Sequence, residues 1–198
     1  MKFELSIKEF KDKKPRKILI EQIVDAGMLA PYDADSIDDQ KDFRQFFIFE
    51  KGSFECDKLA LLMEKKAKDK LNYVEELVAE KPFLKSNFHT GTKMLRFGVD
   101  KLISNVTTAP YVIIIVELRN LLPSEQEPLK LVLEDMRVKA DEFNLGFNLL
   151  LLPCGNLSIV SQMSGDEELM NLLGLPNKKF AINGCVIGYP KITTSYFK

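Results

Sequence analysis

Apolar positions recur at two different periods along this chain, and the switches between them divide it into elements. In "ILIEQIVDAGML" (18–29) the residues Leu19, Ile23, Val24, Gly27 and Met28 recur near helical spacing, which predicts an amphipathic helix. Ala30-Pro31 ends it, because the residue before a proline is pushed away from helical angles. The polar "YDADSIDDQKD" that follows reads as an acidic loop, and "QFFIFE" (45–50) as a short strand. Residues 57–80 read as a charged helix whose inner face is Leu59, Leu62, Met63, Leu71, Val74 and Leu77.

The second half continues the alternation. A loop from Pro82 to Gly91 is expected, then a helix from about Thr92 to Ser104. "APYVIIIVEL" (109–118) is β-branched and almost uninterrupted, the mark of a buried strand. Ser124 and Glu127 have the spacing of a capping box, so a helix is expected to begin there and to run to about Asn144, with Gly146 as its stop. "NLLLLP" (148–153) reads as the next strand. "DEELMNLLG" reads as a short helix with Ser164 as N-cap, closed by Gly174, and "FAINGCVIGYP" (180–190) as the last strand. Strands separated by helices imply one sheet covered by helices, while periodicity leaves strand order and direction open.

Composition narrows the function classes. The 198 residues suit a single domain spanning 1–198. With 45% apolar and 29% charged residues and a net charge of −1, nothing favours nucleic acid as a partner. No apolar run approaches the ~20 residues of a membrane span, and "MKFELSIKEF" lacks the apolar core of a signal peptide, so a cytoplasmic protein is expected. The one histidine, His89, excludes a multi-histidine metal site, and any Ser-His-Asp or Cys-His hydrolase would depend on it alone. No metal site is expected. Cys56, Cys154 and Cys185 are far apart with no C-x-x-C, which argues against a disulfide framework.

Three stretches carry candidate chemistry. "HTGTK" (89–93) lacks the G-x-x-x-x-G-K-[ST] spacing of a phosphate loop and follows no buried strand, so it reads as a helix start. Cys154 stands at a strand end, but no neighbouring base or cation would activate its thiol, so it reads as a small packing residue. In "LSIKEF" (5–10), an extended backbone puts Glu4, Ser6 and Lys8 on one face. A hydroxyl and an ammonium two residues apart can hold a phosphate, although an edge strand of mixed charge has the same pattern.

Taken in order, the pieces resemble the FMN-dependent nitroreductase family. "SIKEF" (6–10) is similar to its opening phosphate-binding element. "IVDAGMLAP" (23–31) is similar to its first helix and A-P-S turn, and "APYVIIIVE" (109–117) to its central strand. "FNLGFNLLLLPCGN" followed by "LMNLLGLPNKKFAINGCVIGYPK" resembles its tail, in which Leu-Gly-Leu-Pro and Ile-Gly-Tyr-Pro stand in order. The resemblance implies an α+β, three-layer fold in which helices wrap a central mixed β-sheet, and a homodimer with FMN at the subunit interface. It implies hydride transfer from NAD(P)H through FMN to a nitroaromatic, a quinone or a similar acceptor. It assigns Ser6, Lys8 and Lys191 to the FMN phosphate and the backbone of Cys154 and Gly155 to the flavin ring, with Pro31 and Tyr32 in the nearby turn. Glu4 stands where the family has an arginine, and "DADSIDDQKDF" replaces its N-x-Q-P-W segment. Those departures motivate an alternative, a flavin- or nucleotide-binding protein of the same fold without turnover.

Overall fold

The computed structural model describes residues 7–31, 44–118, 129–152, 159, 163, 165–176 and 180–191. Its elements are α1 (Lys17–Leu29), β1 (Arg44–Glu50), α2 (Phe54–Glu80), α3 (Pro82–Thr108), β2 (Tyr111–Leu118), α4 (Lys130–Glu142), β3 (Gly146–Leu149), α5 (Glu167–Leu172) and β4 (Phe180–Gly188). The strands form one sheet in the order β1-β2-β4-β3. Although the resemblance implied a mixed sheet, all three pairings among the described strands are antiparallel.

Side-chain alternation along β2 builds the layers. Val112, Ile114 and Val116 point into a core shared with α2, α3 and α5. Tyr111, Ile113 and Ile115 point the other way, into a core shared with α1 and α4. Because both faces of β2 are covered, its run of β-branched residues needs no polar alternation. The result is the three-layer α+β arrangement, helices on both sides of the sheet, that the sequence implied.

Several boundaries differ from expectation, each for a local reason. No loop separates Pro82 from Gly91: α3 runs unbroken from Pro82. Proline at the first helical position lacks only an N–H that would have no intrahelical partner, and one interior glycine costs ~1 kcal/mol, which packing outweighs. "HTGTK" therefore lies inside a helix. Leu129, at φ 62°, is the N-cap of α4, which begins at Lys130; Ser124 and Glu127, the expected start, lie outside the described residues. Asn144, at φ 54°, turns the chain after α4, a step expected of Gly146. Gly146 instead opens β3, which ends at Leu149, earlier than "NLLLLP" suggested. Asp166, not Ser164, caps α5: its carboxylate accepts from the N–H groups of Glu168 and Leu169.

Candidate functional site

Two glycines seat the segment that carries Lys8. Gly146 and Gly188 are direct partners across β3 and β4. A Cβ on Gly188 would stand 2.4 Å from Pro110 Cδ and 2.9 Å from Phe10 Cδ1, and one on Gly146 2.7 Å from Ile7 Cδ1. The bare backbone at both positions leaves a slot that Ile7 and Phe10 occupy, and Phe10 is buried there. Burying the phenylalanine ring contributes ~1.5–3 kcal/mol, enough to hold a short irregular segment against the sheet.

Hydrogen bonds fix the register of that segment. The Lys11 N–H donates to Tyr189 O, and the Lys191 N–H to Glu9 O. Phe10 N–H donates to Thr108 Oγ1, and Asn148 Nδ2 donates to Ile7 O at 2.8 Å. The N-terminal segment is thereby tied to both β3 and the chain leaving β4. Lys8 and Lys191, at opposite ends of the sequence, come to flanking positions on this paired backbone. Lys8 Nζ lies 5.2 Å from the centre of the Phe97 ring on α3, and among the described residues it meets no carboxylate. Lys191 Nζ is held by Glu9 Oε2 at 2.7 Å. That hydrogen bond, followed by the charge of Glu9, raises the Lys191 pKa above the ordinary lysine value.

Beyond β3, the edge strand, the chain leaves opposite the middle of β4. Leu150 N–H donates to Gly184 O, and Leu150 lies over Gly184, where a Cβ would stand 2.9 Å from Leu150 Cδ1. Leu150 and Leu152 are buried in the core shared with α2 and α3. Of the four leucines, Leu150 and Leu152 line this core, while Leu149 packs against the opposite core and Leu151 is half-buried. Ser6, Tyr32, Cys154 and Gly155 lie outside the described residues. The other two thiols, Cys56 and Cys185, are buried, which pushes both above the ordinary range, Cys185 far above it.

Pro31 sits elsewhere. It is exposed and follows α1, and its carbonyl accepts from Arg44 Nη2 at 3.2 Å. Arg44 pairs with Glu117 near the end of β2, whereas the Lys8 segment packs beside Pro110 at the start of β2. Six residue rises from Tyr111 to Glu117 separate the two places by about 20 Å. The structure therefore places the backbones of Lys8 and Lys191 beside each other and holds Pro31 at the other end of β2. Glu9, Phe97, Asn148, Arg44 and Glu117 were not singled out from sequence. Only the last pair left a signal there, opposite charges at the matching ends of two apolar strands.

No family model matches the chain, and no curated protein does either. Solved structures do. Iodotyrosine deiodinase bound to FMN and 3-iodo-L-tyrosine superimposes with a TM-score of 0.60 at 16% identity, covering 97% of this chain and 88% of that one. A nitroreductase with bound FMN from Bacteroides fragilis gives 0.58 at 15% identity over 98% and 89% of the two chains. The chain has the nitroreductase fold. An FMN-dependent nitroreductase from Clostridium difficile matches at 0.52, with 15% identity over 98% and 87%. Among the described residues no helix is long and apolar enough to cross a membrane, and no group of three or more His, Cys, Asp or Glu gathers.

Proposed function

We propose that this protein is an FMN-dependent oxidoreductase that takes hydride from NAD(P)H and passes it to a small acceptor such as a nitroaromatic or a quinone. The observation that carries the reading is the Lys8 ammonium, exposed, free of carboxylates among the described residues, and held on a segment anchored by Phe10. A compact cation with three donors on a fixed backbone suits a phosphate monoester. Ser6 and Lys8 would hold the FMN phosphate, with Lys191 available by exchanging Glu9 for it. The backbone at Cys154-Gly155 would lie beside the ring, where a glycine permits close approach. Bound FMN would supply the two-electron carrier, and the protein's part is positioning, with no side chain needed as general acid or base.

The ~20 Å of β2 that separates the place where the Lys8 segment packs from the place where Pro31 is held supports a homodimer. One chain does not offer both positions to one ligand, so a second copy would contribute the Pro31-Tyr32 turn. The ion pair of Glu9 with Lys191 favours a second reading, a flavin binder without turnover, because it occupies one of the two phosphate-directed cations.

Purified protein separates these readings. A yellow preparation bleached by NAD(P)H under anaerobic conditions supports the enzyme, and a yellow one that NAD(P)H leaves unchanged supports the binder. A colourless protein that takes up no added FMN sinks both. Lys8→Ala should weaken FMN about tenfold while changing riboflavin affinity far less, as expected for loss of one charge-assisted phosphate contact. Equal losses for the two flavins would show that Lys8 does not face the phosphate.

A further inference from the structure

The strongest unexplained device in the molecule is the buried guanidinium of Arg44. Its side chain and that of Glu117 are each 1% exposed. Arg44 Nε and Nη2 both donate to Glu117 Oε2, at 3.0 and 2.9 Å. Nη1 donates to Gly27 O at 3.0 Å and to Ala30 O at 2.7 Å, and Nη2 also reaches Pro31 O. These five hydrogen bonds match the five N–H donors that a guanidinium carries. Three of them end on carbonyls at and just past the end of α1, where the helix dipole is negative and intrahelical donors run out.

A lysine could supply the charge, but not a planar fork that reaches three carbonyls and a carboxylate at once. The geometry also ties two distant points of the chain together. Arg44 is the first residue of β1, in register with Glu117 on β2, so the sheet fixes its backbone. Through its side chain that fixed point holds the exit of α1 at Ala30 and Pro31. From the other side α1 is held by close packing: a Cβ on Gly27 would stand 2.8 Å from Met136 Cγ of α4 and 3.1 Å from Phe46 Cε1 of β1.

We infer that Arg44, with Glu117, is a positioning residue that sets where the Pro31 turn stands and thereby shapes the flavin site to which that turn contributes. The inference rests on the functional reading above. It makes the ion pair a part of the site although neither side chain is exposed to a ligand. The clamp works through backbone carbonyls, so its loss displaces the turn without removing any group that touches flavin.

The test uses Arg44→Met/Glu117→Met, which removes both charges together and keeps apolar volume, and Arg44→Lys, which keeps the charge and loses the fork. Three quantities are measured on the full chain: the melting temperature, hydrogen exchange of the Ala30 amide in flavin-free protein, and FMN affinity. The Ala30 N–H donates to Gly27 O, one of the clamped carbonyls. In the folded double variant Ala30 exchange should rise about tenfold or more as the helix end loosens. FMN should bind about ten- to a hundredfold more weakly, the scale of a small misplacement in a site. Arg44→Lys should follow the double variant in both readouts. A folded double variant with parental exchange and parental FMN affinity overturns the inference. So does loosened exchange with unchanged FMN affinity, which would make the clamp purely structural. If the parent binds no FMN, the functional reading fails and the site-shaping role fails with it. The Ala30 exchange then still decides whether Arg44 holds the turn.

Discussion

The two ends of the sheet solve the same problem, attaching an irregular segment to a rigid strand, with opposite physics. At the Glu117 end a charged fork, fully withdrawn from water, grips three backbone carbonyls. At the Gly188 end an aromatic ring drops into a slot between two glycines, and the charges around it stay in solvent. The buried device fixes geometry and tolerates no half-measure, since removing one partner takes the facing charge from a group already withdrawn from water. The open device leaves its cations free to be recruited by an anion, because exchanging one exposed partner for another costs little.

The largest effect should come from breaking the buried device on one side only. Glu117→Ala removes the buried carboxylate that Arg44 meets through both Nε and Nη2 and should cost about 3–5 kcal/mol. For a chain of this size that is a fall in melting temperature of roughly 6–20 °C. Removing both charges in Arg44→Met/Glu117→Met should lose less than half as much, since both charges leave together and the exposed Pro31 carbonyl can turn to water. Thermal melts of the two variants beside the parent decide it. If the single variant melts no lower than the double, the pair is not the desolvated clamp described.

The open end should answer to volume instead. Gly188→Val places branched carbons against Pro110 and Phe10, where even a single Cβ is too close to a proline ring that cannot swing away. A cost of ~1–3 kcal/mol is expected, the range for overpacking. The Phe10 segment should be partly displaced with it. Urea midpoints check the stability loss, and FMN affinity checks the displacement, because Lys8 rides on the same segment. A destabilised Gly188→Val that binds FMN as tightly as the parent would separate Lys8 from the phosphate.

The contrast also explains how far the sequence could be read. β2 was legible because a long β-branched run has few alternatives, β4 because its apolar stretch ends at Gly-Tyr-Pro, and α1 because its apolar spacing and Ala30-Pro31 bracket it. The two boundaries that were missed differ in kind: Leu129 is a buried leucine at positive φ, against its local propensity, whereas Asn144 is an exposed asparagine, which adopts positive φ readily but was passed over for Gly146. The pairing of Lys8 with the far end of the chain was reachable only through the family resemblance. Glu9 and Lys191, 182 residues apart, meet because the chain after β4 bonds to residues 9–11. The Arg44 clamp was less accessible still. It needs the β1–β2 register and the helix end in one place, and neither is encoded locally.

The smallest expected effect is on the ion pair at the open end, and there the prediction is mostly of what should not change. Glu9 and Lys191 are half exposed, so Glu9→Gln should shift the melting temperature by no more than about 2 °C, since exposed pairs contribute little. The hydrogen bond from Lys191 to Glu9 raises the lysine pKa in the folded protein above its ordinary value of 10.5. A raised folded pKa stabilises fully below the unfolded value and is lost only as pH climbs through the folded one. From the Lys191 side the pair should therefore hold constant between about pH 6 and 9 and fade only above about 10.5. FMN affinity should respond differently. With Glu9 neutral, Lys191 no longer has to leave a carboxylate to meet a phosphate, and FMN should bind a few times more tightly at low salt. The gain should shrink as ionic strength rises past ~0.15 M and exposed charges are screened. Titrating FMN into the parent and Glu9→Gln at two salt concentrations measures it. A variant that binds FMN more weakly would mean that Glu9 orients Lys191 for the phosphate instead of competing with it.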